Sequence, residues 1–165
     1  MQKNNRTILL LCPYPRGVAP SQRFRFEQYL GALEQRHFTV DFRPFLTDRA
    51  WRMLYTRGRT VQKILSIAGG FIRRVALLLW AVPRADYVFI HREASPIGPP
   101  VFEFIIAKIL RKKIIYDFDD AIWLPNTSEE NAMVSRIKWH SKVRSICKWS
   151  YRVSAGNEYL GSFAR

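Results

Sequence analysis

Residues 112–123 constrain the fold of this chain more than any other segment, because they read Lys-Lys-Ile-Ile-Tyr-Asp-Phe-Asp-Asp-Ala-Ile-Trp. Their apolar, β-branched beginning predicts a buried strand. The strand ends in three carboxylates, Asp117, Asp119 and Asp120. In an open α/β sheet, ligands bind in the crevice beyond the carboxyl ends of the strands. The segment therefore predicts a sheet with a ligand site at its acidic end.

The rest of the chain alternates strand-like and helix-like segments, which indicates an α/β domain with a doubly wound parallel sheet. At 165 residues, the chain has the length of about one domain. Further strands are predicted at residues 7–12, 38–45, 86–91 and 151–155. Helices are predicted at residues 21–36 with Ser21 as the N-cap, 48–82 with a break at Gly69-Gly70, 100–110, 128–149, and after the turn at Gly156-Asn157.

The chain is strongly basic, with 27 Lys and Arg residues against 13 Asp and Glu residues and a formal net charge of +14. This balance predicts a polyanionic partner, either nucleic acid, anionic lipid or a phosphorylated substrate. No recognised nucleic-acid-binding module accompanies the charge, so nucleic acid is not expected. Residues 49–84 interleave basic residues with apolar and aromatic ones, a pattern that suits the anionic surface of a bilayer. The alternative is that the apolar side of this segment is core and its arginines are solvated.

The two cysteines, Cys12 and Cys147, define neither a disulfide framework nor a zinc site. We expect reduced core thiols in a cytoplasmic protein. The apolar run at 8–12 is too short for a secretory signal. The longest apolar block, 75–82, is well below the roughly 20 residues that span a bilayer. The sequence therefore predicts no membrane crossing and a cytoplasmic location, at most peripheral on the inner face of the membrane.

The pair Asp117-x-Asp119 fits several kinds of chemistry. In one, Asp117 is the nucleophile and Asp119 the acid/base of a magnesium-dependent phosphatase. In a second, the two carboxylates hold a metal ion on a nucleotide diphosphate, since hard oxygen ligands suit such ions. In a third, they accept hydrogen bonds from sugar hydroxyls or act as a base. A purely structural interpretation also exists, in which Asp120 caps a turn and Asp117 pairs with an arginine.

Two other segments reach the same edge of the predicted sheet. His91-Arg92-Glu93 ends the third strand, where a histidine can transfer protons near neutral pH. A satisfied structural histidine is the alternative. The turn after the first strand contains Gly17 and leads into the helix at Ser21, where backbone amides and Arg23 or Arg25 suit a phosphate. The turn contains neither a G-x-G-x-x-G fingerprint nor a P-loop, so an ordinary capped turn remains open.

Taken in order, several blocks of the sequence resemble the N-terminal half of a family 4 glycosyltransferase of GT-B architecture. The resemblance covers nearly all of the chain, because the blocks recur at strand ends along its whole length, at residues 9–15, 19–30, 89–93, 115–123 and 155–160. The resemblance implies one of two facing Rossmann-like domains, the one that binds the acceptor. It implies retaining, metal-independent transfer from a nucleotide-activated sugar, with no cofactor. The basic segment 49–84 then favours an acceptor carried on lipid, as in cell-envelope or polysaccharide assembly.

The resemblance also implies roles for individual residues. Asp119 and Asp120 stand where many relatives carry an active-site histidine near the transferred sugar, and are the predicted catalytic residues. The predicted acceptor-binding residues are His91, Arg92, Glu93 and Asp117. The predicted donor-phosphate-binding residues are Gly17, Ser21 and Arg23.

The sequence departs from the family in two ways. The acid cluster replaces the usual histidine, and the C-terminal domain that grips the donor is not present in the 165 residues. We therefore expect a truncated N-terminal domain, residues 1–165, with little or no transfer activity alone. A non-catalytic module that binds a membrane or a glycan is a second alternative to the transferase. Pairing with another copy through an exposed sheet edge also stays open.

Overall fold

A computed structural model describes residues 5–54, 56, 58–124 and 139–165. Within these residues the strands form one parallel sheet in the order β2-β1-β3-β4-β5. The strands are β1 Arg6–Cys12, β2 Phe38–Pro44, β3 Tyr87–His91, β4 Lys113–Phe118 and β5 Arg152–Ala155. The predicted α/β class, with a Rossmann-like doubly wound sheet, is confirmed. The bounds predicted for the first, second, third and fifth strands agree to within one residue.

Helices connect the strands and cover both faces of the sheet. The α-helices in the described residues are α1 Pro20–Arg25, α2 Leu30–Gln35, α3 Asp48–Leu54, α4 Thr60–Trp80, α5 Val101–Phe104, α6 Lys142–Trp149 and α7 Glu158–Ala164. A 3₁₀ turn at Glu27–Tyr29 separates α1 from α2, and a π-helical turn at Ile105–Ile109 continues α5. Residues 128–138 of the predicted helix 128–149 lie outside the described residues.

The core is divided by the sheet, because alternate residues of a strand point to opposite faces. Leu9 and Leu11 of β1 belong to the larger cluster, which packs against α5 and α6 through residues such as Ile106 and Ile146. Leu10 and Cys12 face the other way, onto Phe26 and Leu30 beside α1 and α2. Full burial of such an aliphatic or aromatic side chain contributes about 1.5–3 kcal/mol.

Both cysteines are buried and free, as predicted. Burial raises the pKa of Cys12 to about 12 and that of Cys147 to about 11. The two thiols therefore stay protonated at neutral pH and act as small apolar core groups.

The beginning of the first helix differs from the prediction. Its N-cap is Ala19, which makes no side-chain cap, and Pro20 opens α1. The fixed φ of proline suits the first helical position, so Pro20 starts the helix without a capping hydroxyl. Ser21, predicted to be the N-cap, lies inside the first turn. The predicted continuous helix 21–36 is also divided, at Phe26 and the 3₁₀ turn.

The predicted break at Gly69-Gly70 is wrong, because α4 runs through both glycines without interruption. Gly70 is instead a packing residue: a Cβ at this position would lie 2.6 Å from two ring carbons of Phe45. The real break in the segment 48–82 lies between α3 and α4, where Arg59 adopts a left-handed φ of 55°. Glycine has a low helix propensity, but at position 70 the close packing of the Phe45 ring requires a residue without a side chain.

Arg74 docks α4 on the sheet. Its guanidinium is 2% exposed and donates to the carbonyls of Ala94 at 2.7 Å, Arg43 at 2.8 Å and Cys12 at 3.0 Å. Burial lowers the pKa of Arg74 to about 10, so the group stays charged at neutral pH. A buried charge with three hydrogen bonds holds the middle of the helix at one fixed position.

The helical segment Thr60–Arg84 has 25 residues and is, by length and composition, apolar enough to cross a membrane. The uninterrupted apolar run 75–82 is only part of this helix, which carries few charges between Val61 and Leu79. The predicted absence of a membrane crossing stays a prediction. Length and composition alone do not locate the protein.

Candidate functional site

The candidate site lies at the carboxyl edge of the sheet, where three strands bring polar side chains side by side. His91 of β3 is in register with Asp117 of β4, which is in register with Ser154 of β5. Paired residues of neighbouring parallel strands point to the same face, so the three side chains form one row. This is the face that α1 and α2 cover.

Asp117 is the centre of the row and is 2% exposed. Its Oδ1 accepts hydrogen bonds from two nitrogens of Arg25, Nη2 and Nε, the latter at 3.2 Å. Its Oδ2 lies 2.8 Å from Nδ1 of His91. Burial by itself would raise the pKa of Asp117. Hydrogen bonds from His91, Arg25 and Ser154 outweigh burial, and the pKa lies below its ordinary value of 3.8. Asp117 is therefore a carboxylate that holds two neighbours in place.

His91 links Asp117 to α1. Its ring is fully buried, and its Nε2 lies 3.5 Å from the hydroxyl oxygen of Ser21. An ionised Asp117 only accepts, so Nδ1 of His91 donates to it. Ser21, His91 and Asp117 thus form a chain of polar contacts from α1 to β4, and Arg25 shares the same carboxylate.

Arg25 completes this cluster from α1. Besides the contact with Asp117, its Nη2 donates to Ser154 Oγ at 2.8 Å. The side chain is 23% exposed, so part of the guanidinium remains within reach of a ligand. The ion pair with Asp117 raises the pKa of Arg25 further. We name Ser21, Arg25, His91, Asp117 and Ser154 the edge cluster.

The turn predicted to approach the donor phosphates is tied to α1. The amide of buried Gln22 receives a hydrogen bond from the backbone N–H of Tyr14 at 2.9 Å and donates to the carbonyl of Tyr14 at 3.0 Å. Gly17 has a left-handed φ of 81°, and its backbone N–H donates to Glu27 Oε2 at 2.9 Å. A phosphate bound at Gly17 has to replace this carboxylate.

A strained turn directly follows β3. The backbone N–H of Glu93 donates to the carbonyl of His91 at 2.7 Å, and Arg92 between them has a φ of 60°. A hydrogen bond between residues two apart defines a γ-turn, and the form with positive φ is rare and strained. Such strain in a non-glycine residue is typical of functional sites. The turn points Arg92 towards Asp119, with Nε 3.0 Å from Oδ1.

The two predicted catalytic carboxylates have different surroundings. Asp119 is 21% exposed and paired with Arg92, whereas Asp120 is 70% exposed and 4.0 Å from Arg92 Nη2. Asp120 Oδ1 also accepts from the backbone N–H of Ala121 at 2.8 Å. The loop after β5 contacts Asp119 closely, since a Cβ on Gly156 would lie 3.1 Å from the Cα of Asp119.

Glu93 belongs to a second polar group behind the edge cluster. Its Oε2 lies 2.7 Å from Nζ of Lys142, a side chain that is 3% exposed and also donates to the carbonyl of Ser95 at 2.9 Å. Glu103 is fully buried beside this pair and accepts from the N–H of Ala94 at 2.9 Å. Burial raises the pKa of Glu103, and its Oε2 has no hydrogen-bond partner among the described residues.

The structure brings together some of the predicted site residues and separates others. Ser21, His91, Arg92, Asp117 and Asp119 lie in the edge cluster or next to it. Gly17 is occupied by Glu27, Glu93 turns towards Lys142, and exposed Arg23 lies over the ring of Phe24 with 5.7 Å to the centroid. Arg25, the alternative to Arg23 in the prediction, is the arginine that reaches Asp117. Helical spacing explains this, because residues 21 and 25 share a face and residue 23 does not.

The contacts of the acidic strand end match the purely structural interpretation of its carboxylates. Asp117 pairs with an arginine, and Asp120 caps the N–H that follows it. Within the described ranges, no group of three or more His, Cys, Asp and Glu residues is arranged to hold a metal ion. What distinguishes the site from a simple set of ion pairs is the buried imidazole that lies between Asp117 and the hydroxyl of Ser21.

No known family, curated protein or solved structure matches this chain.

Proposed function

We propose that this chain is the acceptor-side domain of a retaining, metal-independent glycosyltransferase. The donor is a nucleotide-sugar, and the acceptor is a cell-envelope or polysaccharide glycan carried on lipid. The observation that carries the proposal is the edge cluster. In a sheet of order 2-1-3-4-5, the ligand crevice lies at the carboxyl ends of β1 and β3, where the strand order reverses. His91 is the last residue of β3.

The groups at this crevice suit an acceptor with several hydroxyls. Each sugar hydroxyl both donates and accepts, so its site needs cations and carboxylates close together. Arg25, Arg92 and Asp119 are each between one-fifth and one-quarter exposed, at 23%, 23% and 21%. Their buried contacts fix their orientation, while their exposed atoms remain available. Groups held in place in this way lose little entropy when a ligand binds.

The proposed reaction needs few groups from this domain. The acceptor oxygen bonds to the anomeric carbon, the bond from that carbon to the diphosphate oxygen breaks, and the acceptor proton passes to the leaving diphosphate. Asp119 and Asp120 accept hydrogen bonds from the transferred sugar, and Arg92 orients the acceptor. His91 is fully buried and acts only through its contacts with Asp117 and Ser21. A second domain of the same architecture supplies most donor contacts.

The phosphatase alternative is less well supported by the surroundings of Asp117. A nucleophilic carboxylate has to reach a phosphorus atom, but Asp117 is 2% exposed and both of its oxygens are engaged by Arg25 and His91. An arginine that neutralises the carboxylate also weakens it as a nucleophile.

The first test is the intact mass of the protein in its source cells. A mass of about twice 19.4 kDa indicates a second domain of ordinary size, and the whole protein is then assayed for transfer of label from nucleotide-sugars into lipid-extractable product. We expect Asp119→Asn to lower transfer on the order of a hundredfold, the usual size of a lost electrostatic contact. Asp48→Asn, in α3, is the matched control and should leave transfer unchanged.

Three results would contradict the proposal. One is magnesium-dependent hydrolysis of a generic phosphate ester that Asp117→Asn abolishes. Another is a native protein that binds a glycan or vesicles but transfers nothing from any nucleotide-sugar. The third is an Asp119→Asn variant that transfers as fast as the Asp48→Asn control.

A further inference from the structure

The outer face of α4 is an uninterrupted apolar surface. Its most exposed members are Ile72 at 71% and Val61 at 69%. At about 100° per residue, the apolar residues of this face fall within an arc of about 100°. They are Val61, Ile64, Leu65, Ala68, Ile72, Val75 and Leu79. We name this set the outer stripe. An exposed apolar surface of such length typically marks an interaction site.

The charges around the outer stripe have a single sign. Residues 49–84 contain no Asp or Glu. Their basic residues are Arg49, Arg52, Arg57, Arg59, Lys63, Arg73, Arg74 and Arg84. None of the ion pairs found among the described residues involves this segment. Of these basic residues, leaving out Arg57, which lies outside the described ranges, only Arg74 is buried, and it binds carbonyls at the edge of the sheet. The partner of this surface is therefore anionic as well as apolar.

A cleft of about 510 Å³ opens beside the outer stripe, between α3 and α4. Its walls carry three guanidinium groups and further hydrogen-bond donors, and no carboxylate. They are formed by Arg49, Arg52, Met53, Thr56, Arg59, Gln62, Leu65 and Ser66. Leu65 belongs both to the cleft and to the outer stripe. Guanidinium groups are the usual partners of phosphate oxygens, so the cleft suits a phosphate at the border of an apolar surface.

The docking of α4 decides how the helix meets a bilayer. A membrane-spanning helix needs lipid or protein around its whole circumference, but the inner side of α4 packs on the sheet through Gly70 and Arg74. Moving the helix into the hydrocarbon would leave the carbonyls of Cys12, Arg43 and Ala94 without their donor. A helix with one docked side and one apolar side lies in the membrane surface.

We infer that the outer stripe inserts into the surface of an anionic phospholipid bilayer and that the cleft lined by Arg49, Arg52 and Arg59 binds a lipid headgroup phosphate. The two parts act together because Leu65 belongs to both, so the cleft adjoins the apolar surface. In a bilayer, the headgroup phosphates likewise adjoin the hydrocarbon. This inference goes beyond sugar transfer and does not rest on it, since binding is measured without turnover.

The test is co-sedimentation of the full chain with vesicles of phosphatidylcholine alone or with added phosphatidylglycerol. We expect binding only to the anionic vesicles, falling as salt rises from about 0.05 to about 0.5 M. Ile72→Asp should lower the partition coefficient at least tenfold, whereas Ile109→Asp, an exposed isoleucine (62%) after α5, should change it little. Thermal melting and circular dichroism of each variant show that it is folded.

The cleft needs a control that removes the same charge elsewhere. The triple variant Arg49→Gln, Arg52→Gln, Arg59→Gln should weaken binding on the order of a hundredfold, since each basic residue at the surface contributes about one factor of five. Arg36→Gln, Arg144→Gln, Arg165→Gln carries the same loss of charge on exposed residues outside 49–84, and should weaken binding much less. Inorganic phosphate is added as a competitor, and millimolar amounts should leave vesicle binding intact.

Several outcomes would overturn the inference. If vesicle binding fell equally in the two isoleucine variants, the outer stripe would not be the inserting surface. If it fell equally in the two triple variants, the cleft would not be the phosphate site. Release by millimolar phosphate would assign the cleft to a free anion. A dimer in sedimentation equilibrium that Ile72→Asp dissociates, with no vesicle binding, would assign the outer stripe to a second copy of this chain.

Discussion

The sheet edge and the cleft between α3 and α4 contain the same kinds of charged side chain in opposite situations. At the sheet edge, Arg25 and His91 contact Asp117, and Arg92 contacts Asp119. In the cleft, Arg49, Arg52 and Arg59 contact no carboxylate among the described residues. Carboxylates of the protein itself neutralise the cations at the sheet edge, whereas Arg49, Arg52 and Arg59 are left for an external anion. A paired set is oriented before a ligand arrives, whereas an unpaired set supplies attraction at long range.

If the charges of the edge cluster are set by the protein, removing its central carboxylate should be costly. Asp117→Asn leaves Arg25 and His91 without their common acceptor, and we expect the free energy of unfolding to fall by about 3 kcal/mol. Urea denaturation at pH 7 measures the change. Asp120→Asn is the control, because Asp120 is 70% exposed, and should stay within about 0.5 kcal/mol. Similar losses in both variants would mean that the edge pairs are no more than surface ion pairs.

The link between the two regions is Arg74. Arg74→Lys keeps the positive charge but cannot reach three carbonyls with one ammonium group, so we expect a loss of about 2–3 kcal/mol in unfolding free energy. Its neighbour Arg73 is exposed and donates once, to the carbonyl of Phe45 at 2.7 Å. Arg73→Lys should cost well under about 1 kcal/mol. If the two lysine variants unfold at the same urea concentration, α4 is not docked through Arg74.

The two adjacent glycines of α4 give a matched pair for its packing. Gly70→Ala places a methyl group 2.6 Å from Phe45 and should destabilise the protein by about 1–3 kcal/mol. The Cβ of Gly69→Ala lies 3.5 Å from Arg73 Nη1, so this variant should be stabilised by about 0.5–1 kcal/mol through helix propensity. Urea denaturation of both variants provides the comparison. If Gly70→Ala raised the free energy of unfolding as Gly69→Ala does, Gly70 would not be in contact with the ring of Phe45.

Glu103 is the exception within the interior, since one of its oxygens lacks a partner among the described residues. Its folded pKa is raised by burial, so folding favours the protonated form and this contribution to stability is present below the ordinary value of 4.5. The contribution is lost as pH rises, at up to about 1.4 kcal/mol per pH unit, until the folded pKa is passed. Asp117 has the opposite sign, because its lowered pKa makes stability fall as pH falls below 3.8.

Unfolding free energies measured from about pH 2 to about pH 8 separate the two carboxylates. Glu103→Gln should abolish the loss of stability above pH 4.5 and leave the loss on acidification. A Glu103→Gln curve parallel to the wild-type curve over this range would mean that Glu103 titrates normally.

The sequence predicts the sheet and the polar residues at its carboxyl edge well, for a physical reason. Buried parallel strands read as short apolar runs, and parallel topology places all of their carboxyl ends at one edge. The grouping of His91, Asp117 and Asp119 therefore follows from strand ends alone. Register adds the direct contact between His91 and Asp117, which no local pattern contains.

The features that the sequence did not predict depend on contacts between distant segments. Gly70 reads as a helix breaker until Phe45 is known to lie against it. In the sequence, Arg74 looks like one more basic surface residue of the segment 49–84, although its side chain is buried. Arg23 and Arg25 are both basic residues near the helix start, and only the helical face decides which of them reaches Asp117.

The three carbonyls that Arg74 binds belong to the end of β1, the end of β2 and the loop after β3. Local opening of α4 must therefore release all three segments in one step, since the guanidinium cannot leave one carbonyl and keep its place at the others. Amide hydrogens of α4 and of these strand ends should then exchange with solvent at a common opening free energy, as a single cooperative unit. The middle of α4 and the approach to the candidate site would open together or remain closed together.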